Sequence, residues 1–218
     1  MEEALQSGKE IERVLLVRKQ EGQGFSPLFR LLKQHSAPYQ FVPVEKLNRI
    51  TRKNHQGIIA YISPITYSPL SEVIAFAYDK GKDPLLIVLD RVSDVRNFGA
   101  IARSAECFGF TGIVIPKRGA ARVNSDAVKT SAGALMNLPV SRVDSLQAAL
   151  REISDSGLRI VSISEKGEEL IYDTNLKGPL ALVLGSEETG ISPSLVKSSS
   201  SVARIPMSGR TGSLNVSV

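Results

Sequence analysis

The chain has 218 residues, of which 42% are hydrophobic and 22% charged, a composition typical of a folded soluble protein. Its single cysteine excludes an internal disulfide and a multi-cysteine metal site, and two histidines leave few ligands for a transition metal. The net charge of +5 suits a polyanionic partner. No apolar run reaches the roughly 18 residues of a membrane span, and the acidic start at Glu2 and Glu3 is unlike a signal segment. We therefore expect a cytoplasmic protein without a membrane segment.

The first 65 residues predict a small, basic α/β domain. They carry ten basic and six acidic residues, which is most of the positive excess of the chain. Hydrophobic patterning predicts a βαβαβ order with strand Ile11–Val17, a helix from Ser26, strand Tyr39–Val44, helix Glu45–Ile50 and strand Gly57–Ile62. Prolines among small polar residues at 63–71 predict a linker after this domain.

Residues 66–83 predict a linker and a first helix, and residues 84–218 predict a second domain. Short, almost continuous apolar runs there are typical of parallel strands covered on both faces, at Leu85–Leu89, Gly112–Ile115, Arg159–Ile163, Leu180–Leu184 and Val202–Ile205. Helical patterns lie between them, at Asn97–Cys107, Asp126–Met136, Asp144–Ser154 and Pro193–Ser199. The alternation predicts an α/β fold with an open parallel sheet and a site at the carboxyl ends of its strands.

Three segments that follow predicted strands are rich in glycine and in polar or charged residues, at 90–103, 185–190 and 206–215. Because parallel strands end at one edge of their sheet, we expect these segments to lie close together. The glycine fingerprint of a dinucleotide site is absent, and Ile191 stands where a phosphate-binding loop would carry its lysine. An ordinary nucleotide-binding site is therefore disfavoured.

Each polar residue of these segments also has an ordinary structural interpretation. Asn97 could cap the helix that follows it, and Arg103 could be solvated or pair with a nearby carboxylate. Glu187 could stabilise the start of a helix, while Ser213 and Asn215 could form a turn. Their joint placement after three strands favours a shared site over these separate explanations.

The single cysteine and the densest basic stretch lie outside these segments. Cys107 lies among apolar residues and is expected to be buried. The densest basic stretch, residues 49–56, is either a solvated loop or a surface that contacts phosphates of a nucleic acid. The candidate residues for such contacts are Arg49, Arg52, Lys53 and His55.

The polar segments contain three patterns, in this order: Asn97-x-Gly99-x-x-x-Arg103; Leu184-Gly185-Ser186-Glu187-x-x-Gly190-Ile191; and Ile205-Pro206-Met207 followed by Ser213-Leu214-Asn215-Val216-Ser217-Val218. Together they resemble the signature motifs of the SpoU (TrmH-type) branch of the SPOUT RNA methyltransferases. Lys129–Ala134 is similar to the helix segment that faces the cofactor in that family. The first 65 residues resemble the ribosomal-protein-like RNA-binding domain of the subfamily that methylates a guanosine of 23S rRNA.

The resemblance implies 2′-O-methylation of a ribose in 23S rRNA with S-adenosylmethionine as donor. No metal is implied, because the sulfonium carries its own positive charge. It also implies a homodimer and a C-terminal trefoil knot in the catalytic domain at 84–218. The implied reaction centre consists of Asn97, Arg103, Glu187, Ser213 and Asn215, and the implied cofactor contacts are Gly185, Ile205 and Leu214.

Two alternatives remain open at this point. The same motifs also serve ribose methyltransferases that act on tRNA, and a non-catalytic RNA-binding or ribosome-assembly factor could keep them.

In the family the third motif is followed by a helix, whereas this sequence stops at Val218. The family also usually has a short stretch before the helix that matches Glu3–Ser7. We therefore expect the natural protein to be longer than this sequence at both ends.

Overall fold

The structure, a computed structural model, describes residues 11–17, 26–34, 37–210 and 212–218. The chain divides into two compact units, Met1–Thr66 and Tyr67–Val218. Across the described ranges, no helix is long and apolar enough to cross a membrane. The same ranges contain no group of three or more His, Cys, Asp or Glu side chains that could hold a metal ion.

The described residues of the N-terminal unit form a three-stranded sheet in the order β2-β1-β3. Its elements are β1 (Ile11–Val17), α1 (Ser26–Gln34), β2 (Tyr39–Val42), α2 (Val44–Ile50) and β3 (Ile58–Ile62). Strand β1 is parallel to β2 and antiparallel to β3. The predicted order of strands and helices is confirmed, although β2 ends earlier because Pro43 occupies the N-cap of α2.

The two faces of this small sheet are covered by different helices. Val14 and Leu16 of β1 pack with Leu32 of α1 on one face. Leu15 points to the other face, where it packs with Leu47 of α2. Because both faces of β1 are covered, the consecutive residues Val14, Leu15 and Leu16 are all apolar and buried.

The described residues of the second unit form a seven-stranded sheet in the order β6-β5-β4-β9-β7-β10-β8, with every neighbouring pair parallel. The strands are β4 (Leu85–Asp90), β5 (Gly112–Pro116), β6 (Val140–Val143), β7 (Arg159–Ile163), β8 (Glu169–Leu170), β9 (Leu180–Gly185) and β10 (Ser201–Arg204). The helices are α3 (Leu70–Asp79), α4 (Val95–Cys107), α5 (Ser125–Thr130), α6 (Leu146–Asp155) and α7 (Pro193–Lys197), with a 3₁₀ turn at Ala134–Met136. The predicted parallel α/β sheet is confirmed.

Both faces of the seven-stranded sheet are buried. Leu86 and Val88 of β4 belong to a cluster that also contains apolar residues of α3, α6 and α7. Ile87 and Leu89, which alternate with them, are buried on the opposite face. Strands β6 and β8 were not predicted, because their short sequences include polar residues and lack the continuous apolar signal of the central strands.

The predicted helix over 126–136 is wrong in its second half. Helix α5 ends at Thr130, and Ala132 and Gly133 both adopt left-handed backbone conformations, with φ of 51° and 87°. The buried Ser131 Oγ donates to the carbonyl of Val128 and accepts the N–H of Leu135, which stabilises the turn. A left-handed pair cannot continue an α-helix, so the chain resumes as a 3₁₀ turn.

Cys107 is exposed, so the prediction that it is buried is also wrong. It ends α4, and its apolar neighbour Phe108 is 78% exposed as well. The trefoil knot stays a prediction.

The contact between α4 and α5 depends on a glycine. A Cβ placed on Gly99 would lie 2.7 Å from Thr130 Cβ and 2.9 Å from the carbonyl oxygen of Ala127. These distances are too short, so the two helices can approach only because position 99 has no side chain.

We predict that Gly99→Ala lowers the free energy of unfolding by about 1–3 kcal/mol, because the helices must separate to admit the methyl group. Urea denaturation followed by circular dichroism measures this loss. Ser104→Ala is the matched control, since Ser104 is exposed on the same helix. Equal stability of the Gly99 and Ser104 variants would contradict the packing argument.

Candidate functional site

The carboxyl ends of two central strands lie side by side in the larger unit. Asp90 at the end of β4 is the register partner of Gly185 at the end of β9. The polar segments 90–103 and 185–190 therefore start at one edge of the sheet. Strand β10, which precedes segment 206–215, also runs parallel and ends at this edge.

The buried carboxylate of Asp90 connects β4 to the chain that follows β9. Its Oδ2 accepts the backbone N–H of Ser192 at 2.7 Å and the Ser192 hydroxyl at 2.6 Å. Its Oδ1 accepts Nε of Arg91 at 3.2 Å. Arg91 has a left-handed backbone, with φ of 60°, and its Nη2 donates to the carbonyl of Gly190 at 3.1 Å. Asp90 and Arg91 thus hold the loop in place.

Sequence reasoning did not single out Asp90 or Arg91. The available signal was an aspartate at the end of an otherwise apolar strand, where a buried charge requires several partners.

The loop after β9 folds back tightly on its own beginning. Ser186 and Gly190 form an antiparallel bridge, and the hydroxyls of Ser186 and Thr189 are hydrogen-bonded at 2.8 Å. Any Cβ on Gly185 would overlap the backbone of Gly190. Only glycine fits at position 185, which explains its presence at the end of the strand.

Glu187, in this loop, connects the first segment to Val216, the residue that directly follows the third segment. Its Oε1 accepts Nδ2 of Asn97 at 3.2 Å and the backbone N–H of Val216 at 3.2 Å. Glu187 is exposed in a turn, so the alternative that it stabilises the start of a helix is wrong. One carboxylate oxygen therefore holds together segments that are far apart in the sequence.

Asn97 does not cap helix α4. The cap is Asp94, whose Oδ1 accepts the N–H groups of Arg96 and Asn97 at 2.8 Å each. Aspartate is as good a capping residue as asparagine, so Asp94 could have been recognised from the sequence. The side chain of Asn97 is consequently free of the cap and points to the loop after β9.

Asn215 forms a turn, which is the structural alternative to a role in the reaction centre. Its Oδ1 accepts both the N–H and the hydroxyl of Ser217, and its carbonyl accepts the N–H of Val218. Ser213 is exposed on the stretch before this turn. The turn presents the N–H of Val216 to Glu187.

Arg103 is not brought into this hydrogen-bonded group. It follows Asn97 by six residues on α4, which places it about 120° away around the helix axis. Its side chain is exposed and, within the described residues, has no hydrogen bond or ion pair. The guanidinium is therefore available to a ligand or to another chain.

Apolar side chains are left exposed on the segment that follows β10. Ile205 is 40% exposed, Met207 39% and Leu214 44%. Leu214 lies two residues before Val216, which Glu187 binds, so an exposed apolar side chain adjoins the polar loop, as in many ligand sites. Ile205, Leu214 and Gly185 are the predicted cofactor contacts.

The candidate RNA-binding residues of the N-terminal unit differ from one another in environment. Three of them are exposed cations: Arg49, Arg52 and Lys53. His55 instead belongs to a turn, where its Nδ1 accepts the N–H of Gly57 at 3.0 Å and its Nε2 is bonded to Oδ1 of Asn48 at 2.9 Å. Since Nδ1 accepts and the amide oxygen can only accept, the ring proton sits on Nε2.

Both units match known families. Residues 84–218 match the SpoU rRNA Methylase family. Residues 1–68 match the family described as RNA 2′-O ribose methyltransferase substrate binding.

Curated relatives match most or nearly all of the chain. It is 31% identical over 216 residues to YacO of Bacillus subtilis, provisionally named a TrmH family tRNA/rRNA methyltransferase, covering 99% of this chain and 87% of that protein. It is 40% identical over 174 residues to an uncharacterized tRNA/rRNA methyltransferase of Synechocystis sp., covering 79% of this chain and 45% of that protein. The chain spans about half the length of most of the curated relatives it matches.

A solved structure shares the fold. The SpoU methyltransferase AviRb of Streptomyces viridochromogenes, in complex with AdoMet, superimposes with a TM-score of 0.62 at 23% sequence identity. The match covers 98% of this chain and 80% of AviRb.

We predict that Asp90→Ala lowers the free energy of unfolding by about 2–3 kcal/mol, because two donors of Ser192 and the Arg91 guanidinium lose their acceptor. Thermal and urea unfolding measure the effect. Asp83→Ala, at an exposed position before β4, serves as the control and should change stability little. A loss at position 90 no larger than that at position 83 would show that the buried carboxylate does not hold the loop.

Proposed function

The chain belongs to the SpoU rRNA Methylase family, and on that premise we propose that it transfers a methyl group from S-adenosylmethionine to a ribose 2′-hydroxyl of RNA. The proposed substrate is a guanosine of 23S rRNA. The observation that carries the proposal is the Glu187 carboxylate, which joins the three motif segments through Asn97 and Val216 at one edge of the sheet.

The residues at this edge of the sheet fit the proposed methyl donor, S-adenosylmethionine. Exposed Ile205, Met207 and Leu214 offer apolar surface to an adenine ring. The carboxylate of Glu187 lies on the adjoining loop and favours a ligand with a positive centre. When bound, S-adenosylmethionine supplies an electrophilic methyl group on a positively charged sulfur.

The chain's own residues would contribute mainly by positioning. Glu187 and Asn97 hold the loop, the helix and the final turn in one arrangement, with Ser213 exposed before that turn. Orienting two reactants can supply about 7–11 kcal/mol in the best intramolecular reactions. The site therefore needs rigid segments more than it needs a strong base.

Arg103 is proposed to bind the phosphate next to the target ribose. Its guanidinium keeps its proton at neutral pH, so it serves as a two-pronged anion clamp, and the hydroxyl proton leaves through the phosphate or a water molecule. Arg103 points away from Asn97 around α4, which supports a site that a second copy of the chain completes. A homodimer is thus part of the proposal.

The 23S rRNA assignment is supported by the N-terminal unit, which matches a substrate-binding family and carries the exposed cations Arg49, Arg52 and Lys53. Methylation of tRNA is the second candidate. It is supported by the names of the relatives, which include both tRNA and rRNA.

Transfer of a radiolabelled methyl group to protein-free 23S rRNA, to its fragments and to tRNA tests the proposal. We expect labelling of a 2′-oxygen in 23S rRNA, mapped by resistance of the adjacent linkage to alkali. Labelling of tRNA alone would transfer the assignment to the second candidate. Donor binding by calorimetry without labelling of any RNA would contradict the enzymatic proposal.

We predict that Arg103→Ala reduces methyl transfer by about 100-fold or more, because the substrate phosphate is no longer positioned. Affinity for S-adenosylmethionine, measured by calorimetry, should be unchanged. Arg151→Ala removes an exposed arginine of α6 and serves as the control. Unchanged turnover of the Arg103 variant would remove this residue from the reaction centre.

We predict that Glu187→Ala weakens donor binding about tenfold, because Asn97 and the N–H of Val216 lose a charged acceptor. Glu187→Gln keeps an acceptor oxygen and should lose less affinity. Glu188→Ala is the matched control, since its exposed side chain has no hydrogen bond among the described residues. Calorimetric titration ranks the three variants, and equal affinities throughout would contradict the bridging role of Glu187.

A further inference from the structure

An open groove of about 660 Å³ lies on the N-terminal unit, outside the site described above. We call it the α2 groove. Residues of β1, β3 and α2 line it, and those that bear on its chemistry are Arg13, Glu45, Lys46, Arg49, Ile50 and Tyr61. Of these residues, only Arg49 is among the candidates that the sequence predicts.

A stacked arginine and tyrosine form one wall of the α2 groove. Arg13 of β1 and Tyr61 of β3 are register partners in the antiparallel pair, so their side chains leave the sheet on the same face. The guanidinium carbon of Arg13 lies 4.7 Å from the centre of the Tyr61 ring. This distance is that of a cation–π contact, which presents a flat, positively charged surface.

Arg13 has a hydrogen-bond donor that this unit does not use. Its Nε is buried and has no acceptor within the described residues. A buried donor without a partner is destabilising. A shift of the guanidinium on binding would let an acceptor oxygen or nitrogen of a ligand reach it.

The opposite wall is basic and partly apolar. Lys46 and Arg49 are three residues apart on α2 and therefore share a helix face. Ile50, 44% exposed, continues that wall. The described lining residues include three cations and one carboxylate, Glu45. The groove therefore favours an anionic ligand.

We propose that the α2 groove binds an unpaired nucleotide of the RNA substrate. Its base would lie against the Arg13–Tyr61 wall, and the neighbouring phosphates would contact Lys46 and Arg49. Stacking on tyrosine and arginine requires an accessible base face, which a paired helix hides. The proposal rests on RNA being the substrate, and it adds a preference for unpaired over paired RNA.

Binding of the full chain to two fluorescent RNAs tests the proposal by anisotropy: a single-stranded oligouridine and a fully paired duplex. We expect Tyr61→Leu to weaken oligouridine binding about tenfold, because it removes the stacking surface. Tyr61→Phe keeps the ring and should bind like the unmodified chain. Leucine retains apolar packing, and the thermal unfolding of both variants checks that they fold.

The cations are tested through the salt dependence of binding. For oligouridine, replacing Lys46 and Arg49 together by alanine should reduce the slope of log affinity against log salt by about 1.4, which corresponds to two lost phosphate contacts. Lys33→Ala is the matched control, because Lys33 is exposed on α1, which packs on the opposite face of the sheet. Its slope should not change.

Three results would overturn the proposal: oligouridine affinity unaffected by Tyr61→Leu, a tighter complex with the duplex, or an equal loss in the Lys33 control. The proposed function is tested separately, by calorimetry of S-adenosylmethionine binding to the Tyr61 variants. The methyl donor is not proposed to bind in the groove, so its affinity should be unchanged. If the chain transfers no methyl group but Tyr61→Leu still weakens oligouridine binding, the enzymatic proposal fails and the groove stands.

Discussion

The buried carboxylate of Asp90 is the interaction on which the arrangement of the larger unit's site depends. It ends β4, a central strand, and it binds both donors of Ser192 beyond the neighbouring strand. Arg91 adds a second connection to Gly190. These bonds, with the close approach of Gly190 to Gly185, attach the loop to the ends of β4 and β9, and Glu187 lies where Asn97 can reach it.

The strands of both units could be predicted because burial on two faces produces continuous apolar runs, as in β4 and β9. The short strands β6 and β8 lack that signal. The end of helix α5 was missed for a different reason: Ala132 is a strong helix former, and its left-handed conformation is imposed by the turn around Ser131. The hydrogen bonds of that turn join Ser131 to Val128 and Leu135, and helix propensity alone does not specify them.

The site could be predicted as a set of segments but not as a set of contacts. Parallel topology brings strand ends to one edge, so the three segments could be expected together. The pairing of Asn97 with Glu187 spans 90 residues and depends on Asp94 taking the helix cap instead. In the smaller unit, Arg13 and Tyr61 meet only through strand register, which no single-sequence pattern specifies.

The single oxygen of Glu187 that accepts two donors has a thermodynamic consequence. The amide of Asn97 and the backbone of Val216 compete for the electron density of one atom, so strengthening either bond changes the other. A ligand that takes this oxygen for itself would release the Asn97 side chain and the last residues from the loop. By thermodynamic reciprocity, a contact that restrains those last residues changes the affinity for that ligand. The factor is the same as that by which the ligand changes the strength of the contact.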